Sequence, residues 1–202
     1  GIGLSALVSA LMLTVFQSQL VYFLMHGRLW LMIATFAELA LVFVASSMAA
    51  KNSPAALPVF LVYSVLNGFT LSFVVAFYTP GTVLSAFVSS ALLFFVMAAI
   101  GIFTKKDLSG MGRALMAALV GLIIAMVVNL FLANSFFDYM ISIAMVLVFS
   151  GLIAWDNQKI RYVYEQSQGQ VATGWVISMA LSIYLDFINL FLSILRIFGR
   201  ND

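Results

Sequence analysis

Seven apolar stretches, each close to the length of a membrane-crossing helix, follow one another with only short polar breaks between them. They run approximately over Ile2–Met25, Leu29–Ala50, Pro54–Tyr78, Val83–Thr104, Arg113–Ala133, Phe136–Tyr162 and Trp175–Phe198. A helix needs about 20 mostly apolar residues to cross the ~30 Å hydrocarbon layer, so each stretch is long enough to span it. The breaks hold the residues that interrupt helices or prefer water: His26-Gly27-Arg28, Lys51-Asn52-Ser53-Pro54, Thr79-Pro80-Gly81, Lys105 to Gly110, Asn134-Ser135, and Glu165 to Gly174. The stretches are continuously apolar rather than alternating, which excludes a transmembrane β-barrel. Composition agrees: 64% of the residues are hydrophobic and only 8% are charged, well outside the range of soluble domains. Too few charges exist to coat a folded chain in water, so lipid is its main solvent. This excludes a cytosolic enzyme, a disulfide scaffold (there is no cysteine), a disordered chain and a nucleic-acid binder. The expectation is an all-α integral membrane protein, a single seven-helix transmembrane domain over residues 1–202 with the last helix central. Residue 1 is Gly rather than Met, so the native N-terminus is expected to be missing or processed.

Cytoplasmic loops are richer in Lys and Arg. The even-numbered connections carry Lys51, Lys105, Lys106, Arg113, Lys159 and Arg161, whereas the odd-numbered ones and the C-terminus carry Arg28, Arg196 and Arg200. Six against three predicts a multi-pass protein of the plasma membrane with a cytoplasmic N-terminus and an exoplasmic C-terminus. Trp30, Tyr78, Tyr162, Tyr164 and Trp175 fall near span ends, as interfacial aromatics do. His26 reads as an interfacial loop residue. Small residues at four-residue spacing, such as Ala117, Gly121 and Ala125, read as close helix packing.

An acid at the centre of a span costs at least ~2.5–3.5 kcal/mol, so each one asks for a reason. Asp107, Asp138, Glu165 and Asp202 lie in loops or at a terminus, but Glu38, Asp156 and Asp186 lie within spans. Ser178, Ser182, Asp186, Asn189, Ser193 and Arg196 are separated by 4, 4, 3, 4 and 3 residues, which keeps them on one helical stripe. Such a stripe faces either a hydrogen-bonded seam or a water-filled path. A seam has no need of a carboxylate, and that singles out Asp186. Asp156 lies ~9–12 Å inside the interface marked by Tyr162 and Tyr164, and Asp186 ~16 Å inside the same interface, marked by Trp175. Sequential antiparallel helices therefore bring the two carboxyls to similar depth. The competing reading is an interfacial Asp156 paired with Lys159 or Arg161. Two carboxyls in one low-dielectric site cannot both ionise cheaply and titrate as a pair, which suits either a proton switch or a protease. Glu38 has no basic residue within one turn and reads as a protonated buried acid, an acceptor for another helix, or a ligand on a cation pathway. Arg196 is expected to snorkel to the interface. Asn67 and Asn129 add polarity to the third and fifth spans, and Asn67 reads equally as pore lining or helix packing.

Enzymatic readings fare poorly. A two-aspartate intramembrane protease carries glycines before its second aspartate and a Pro-containing turn after it, but Tyr184-Leu185 precedes Asp186 and no proline follows Pro80. A retinal-type lysine in the last span, Cys and His metal ligands, and a glycine-rich phosphate loop are all missing. The chain does not read as an enzyme.

The segment from Met179 to Gly199, Met-Ala-Leu-Ser-Ile-Tyr-Leu-Asp-Phe-Ile-Asn-Leu-Phe-Leu-Ser-Ile-Leu-Arg-Ile-Phe-Gly, closely resembles the seventh span of the transmembrane Bax inhibitor motif family. Ala154-Trp155-Asp156-Asn157-Gln158-Lys159-Ile160 resembles the end of that family's sixth span, and Lys105-Lys106-Asp107-Leu108-Ser109 its fourth-to-fifth loop. The short tail is similar to the bacterial branch. The resemblance implies a pH-sensitive calcium leak channel in which the aspartates corresponding to Asp156 and Asp186 form a hydrogen-bonded gating pair. It also implies a latch arginine at the end of the second span. That place falls at Ala49 here, and the nearest cation is Lys51, a point charge rather than a bidentate fork.

The implied activity is passive Ca2+ permeation with no resident cofactor. Ca2+ would be the permeant ion and protons the control. Asp156 and Asp186 would sense pH and offer oxygens to the metal, Lys51 would be a possible latch, and Glu38, Asp186 and Asn189 would line the cation path. Membrane lipid is the expected surround, with no nucleic acid and protein partners unspecified. Two alternatives stand beside it: a regulatory membrane protein acting through helix contacts with a protease or death-pathway partner, and a proton-coupled cation exchanger.

Overall fold

In a computed structural model the described residues are 1–26 and 28–201, with side chains described for all of these except 26, 28–32 and 201. The expectations placed on Gly27 and Asp202, and on the side chains of His26, Arg28 and Trp30, lie outside what the structure describes. Every regular element among the described residues is helical: α1 (Ile2–Thr14), α2 (Gln17–His26), α3 (Arg28–Ala50), α4 (Ala56–Val75), α5 (Pro80–Phe103), α6 (Ser109–Leu132), α7 (Ser135–Gln166), α8 (Thr173–Phe198) and a closing 3-10 turn over Gly199–Asn201. A helix satisfies all its interior backbone groups within itself, which is what an apolar solvent demands.

Six helices are long and apolar enough to cross a membrane, and α1 with α2 adds a seventh if that bent pair counts as one span. The expected first span is therefore corrected. It is not one straight helix over Ile2–Met25 but two segments meeting at 85°. The local chemistry accounts for the bend. Thr14 Oγ1 donates back to Ala10 O at 2.7 Å, a bond that competes with the helical ladder. Gln17, Ser18 and Gln19 follow at once, and all three are exposed.

The other boundaries move outward or inward by a few residues, each for a visible reason. Pro80 lies inside α5, not in the break before it. Proline suits the first helical turn, and the Thr79 hydroxyl accepts from Thr82 N to cap it. Asn134 caps α7 by accepting from Phe136 N and Phe137 N at 3.0 Å. Ala133 takes a left-handed conformation between α6 and α7, and Asn129 Oδ1 accepts from Asn134 N at 3.2 Å. The polarity of Asn129 thus serves the turn. α7 is 32 residues long, about 48 Å, so its polar end beyond Asp156 extends past the hydrocarbon layer.

The chain forms two compact units, Gly1–Tyr78 with Val171–Tyr184, and Thr79–Gln170 with Leu185–Asp202. α8 is continuous and contributes to both. In the first unit α4 packs against α1 and α3. Gly68 brings α4 so close to α1 that a Cβ there would lie 2.6 Å from the Ser5 carbonyl oxygen. At the other end of this unit Asn52 Oδ1 accepts from Gly174 N at 2.6 Å, tying the turn after α3 to the start of α8. In the second unit α7 packs against α5 and α6. Gly101 permits the α5 contact, since a Cβ there would lie 2.1 Å from Ala154 O.

Exposure separates the spans. α6 is almost wholly exposed and α5 largely so, whereas α8 is the most buried of the spans. Its buried residues are not confined to the polar stripe; Tyr184, Ile188, Leu190, Phe191 and Leu195 are buried as well. The apolar faces of α8 are thus largely packed, as lipid and protein interior select the same side chains.

Candidate functional site

The second unit holds the two aspartates. Asp156 sits late in α7 and Asp186 in α8, and both are buried, at 5% and 6% exposure. The charge of Asp156 acts on the Asp186 carboxyl. Asp186 Oδ2 is fully buried and has no hydrogen-bond partner among the described residues. Phe187, next in sequence, meets Phe87 and Phe94 edge-to-face, with centroids 5.9 and 5.6 Å away, so aromatic rings wall this part of α8. A buried carboxyl oxygen in apolar surroundings must carry a proton, meet a cation or move.

The basic residues weighed as partners of Asp156 are engaged elsewhere. Arg161 donates to Ile102 O and lies 3.5 Å from Glu165. Lys159 sits over the Trp155 ring, 5.6 Å from its centroid. Along the expected stripe, Asn189 Nδ2 donates back to Leu185 O at 2.8 Å, and Ser193 Oγ donates to Asn189 O at 2.7 Å. Arg196 is exposed, as a snorkelling residue would be, and its Nη1 lies 3.9 Å from Met126 Sδ.

The first unit builds a different polar site around Glu38. Thr70 Oγ1 on α4 donates to Glu38 Oε1, and the Asn67 side chain also hydrogen-bonds this carboxyl. The side-chain oxygen of Asn67 accepts from Tyr184 OH at 2.7 Å. That hydroxyl lies 2.7 Å from Ser5 Oγ, which donates to Ser64 O at 2.7 Å. Tyr63 and Phe60 enclose Tyr184 edge-to-face. Of the readings open for Glu38, acceptor for another helix is the one with contacts behind it. Asn67 likewise joins helices.

Three members, Ser5, Thr70 and Tyr184, were not singled out from sequence in this role. A tyrosine in mid-span was the available signal, since a buried phenol seeks a partner. Ser and Thr in apolar helices most often bond their own backbone, as Ser90 and Ser142 do here, so Ser5 and Thr70 carried no signal. Lys51 is exposed at the turn after α3, and Ala49, at the expected latch position, is buried. Among the described residues no group of three or more His, Cys, Asp or Glu is placed to hold a metal ion.

A family model described as inhibitor of apoptosis-promoting Bax1 matches residues 1–202. The chain belongs to the Bax inhibitor family. Relatives support this membership throughout. An uncharacterized membrane protein of Streptococcus pyogenes is 56% identical over all 202 residues, covering 88% of that protein. The uncharacterized protein YrjE of Lactococcus lactis is 47% identical over 199 residues, 98% of this chain and 85% of its own. The inner membrane protein YbhL of Escherichia coli is 40% identical over 181 residues, 88% of this chain and 77% of its own. This Bax inhibitor family member is a multi-pass membrane protein.

Proposed function

We propose that the protein is a pH-controlled leak for Ca2+, with Asp156 and Asp186 as its proton-sharing gate. The observation that carries the reading is Asp186 Oδ2, buried, without a hydrogen-bond partner among the described residues, and within the field of a second buried carboxyl. One proton shared between the two relieves both the repulsion and the burial of charge. Removing it restores repulsion, and adding a second removes the charge-assisted bond. Either change shifts the balance between α7 and α8. Passage itself needs only weak oxygen ligands, and Asp186 with Asn189 would supply them in the second unit. Glu38 is the acid the first unit offers to a cation. Lys51 is the candidate latch, and Lys51→Gln is expected to move the pH midpoint while leaving flux intact. No chemical transformation is involved, and the plasma membrane is the setting that suits a gradient-driven leak.

The purified full chain in liposomes loaded with a calcium dye tests this. Flux down the gradient that varies with pH is expected, with the variation lost in Asp156→Asn and Asp186→Asn. If no flux appears, or if pH dependence survives both substitutions, the reading is wrong. Ca2+ driven uphill by an imposed pH gradient would show a proton-coupled exchanger instead.

A further inference from the structure

At one end of the second unit the basic residues are assembled rather than scattered. Gln158 on α7 grips the turn between α5 and α6 from both sides of its amide: Oε1 accepts from Leu108 N and Nε2 donates to Lys106 O, each at 2.8 Å. That grip holds the exposed Lys105 and Lys106 beside the polar end of α7. α6 meets α7 there with no spacing to spare, because a Cβ on Gly112 would lie 2.2 Å from the Trp155 ring. Arg113 follows Gly112 in sequence and is exposed, and Lys159 sits over the Trp155 ring, 5.6 Å from its centroid.

The acids nearby offset this group only in part, since Asp107 lies close enough to feel the Arg113 charge. Glu165 pairs with Arg161, and Asp107 Oδ1 accepts from Ser109 N at 2.9 Å. Among the described residues no carboxylate lies within ion-pair distance of Lys105, Lys106, Arg113 or Lys159. Immediately beneath the lysines the surface turns apolar. Phe103, the last residue of α5, is 79% exposed, and Met111 is exposed as well. A cationic rim over an exposed aromatic step, at the end of membrane-length helices, matches a molecule with an anionic head and a hydrocarbon tail. Soluble anions would leave Phe103 uncovered.

We infer that the Gln158-braced turn, with Lys105, Lys106, Arg113 and Lys159, is a binding site for the headgroup of an anionic phospholipid, whose acyl chain lies along Phe103. Basic groups at a membrane surface each contribute about fivefold to anionic-lipid affinity, so three lysines together supply about a hundredfold. Gln158 carries no charge. Its part is to position the turn.

The test uses the full chain in detergent, offered equal phosphatidylglycerol and phosphatidylcholine, with retained lipid read by native mass spectrometry. Phosphatidylglycerol is expected to be retained preferentially, and the preference to fall at least about tenfold when Lys105, Lys106 and Lys159 are all changed to Gln. Lys51→Gln, a charge removed in the other unit, is expected to leave it unchanged. Gln158→Ala keeps every cation but frees the turn, and is expected to lower the preference severalfold. An equal preference in the triple variant, an equal loss with Lys51→Gln, or no effect of Gln158→Ala would each overturn the site. The last outcome would mean diffuse attraction only. Thermal melts in lipid-free detergent check that the variants are folded.

Discussion

The hydroxyls of Ser5 and Tyr184 lie 2.7 Å apart although the residues are 179 positions apart in the chain. This contact joins the first helix to the last, and it extends through Asn67 to Glu38. Ser5 and Tyr184 are buried and Asn67 and Glu38 half-buried, so water offers their polar atoms little substitute for one another. Tyr184→Phe keeps the aromatic packing against Phe60 and Tyr63 but leaves Asn67 Oδ1 without its donor. The expected loss is about 1–3 kcal/mol of stability. Thermal unfolding in detergent measures it. Combining Tyr184→Phe with Ser5→Ala is expected to cost less than the sum of the two, by at least about 0.5 kcal/mol, because both remove the same contact.

Gly101 and Gly121 are glycines in adjacent spans with opposite surroundings. A Cβ at Gly101 meets the backbone of Ala154, which cannot rotate away, whereas nothing lies within 4 Å of one at Gly121. Gly101→Ala is expected to push α5 from α7 and destabilise the second unit by about 1–3 kcal/mol. Gly121→Ala is expected to be neutral or slightly stabilising, since alanine favours the helix. Melting temperatures of the two single variants decide this, and equal effects would contradict the packing described.

The spans were legible because an apolar run of membrane length leaves the backbone little choice but helix. What the pattern did not carry was which face of a span meets protein. Leu190 is buried and Leu130 is exposed, yet both are leucines in apolar runs, and only long-range packing distinguishes them. The bend between α1 and α2 was written in Thr14 and Gln17-Ser18-Gln19, but hydropathy averaged over the run concealed it. The aspartates stood out from sequence because charge is rare in this chain. The hydroxyls around Glu38 did not, because Ser and Thr are common in membrane helices and their partners lie far away in sequence.

Asp107 connects pH to the α5–α6 turn. It is fully exposed, and hydrogen bonding from Ser109, first through its side chain and then its backbone, together with the nearby Arg113 charge, holds its carboxyl below the usual carboxylate value. A depressed value in the folded state means that the charged form favours folding. This contribution is complete above the unfolded value of about 4 and is lost as pH falls through the folded one. Asp107→Asn keeps an oxygen for Ser109 N but does not titrate. The stability difference between variant and parent is therefore expected to be constant above about pH 5 and to shrink below it. Melts across acidic pH report it, and a difference growing on acidification would reverse the sign.

Thr70 and Glu38 provide the sharpest test of the first unit's polar site. The Thr70 hydroxyl donates to the Glu38 carboxyl from the neighbouring helix, and in a membrane span that carboxyl has few other donors to turn to. Thr70→Val preserves shape and removes the donor, so a destabilisation of about 1–3 kcal/mol is expected. If the donor matters only through Glu38, the penalty disappears once Glu38 is apolar. Thr70→Val in a Glu38→Leu background is therefore expected to be close to neutral. Glu38→Gln, which still accepts from Thr70, is expected to retain most of the coupling. Urea or thermal unfolding of the four-member cycle gives the interaction energy directly. A Thr70→Val penalty that persists unchanged in the Glu38→Leu background would show that Thr70 acts through packing or its own backbone, and not through the acid.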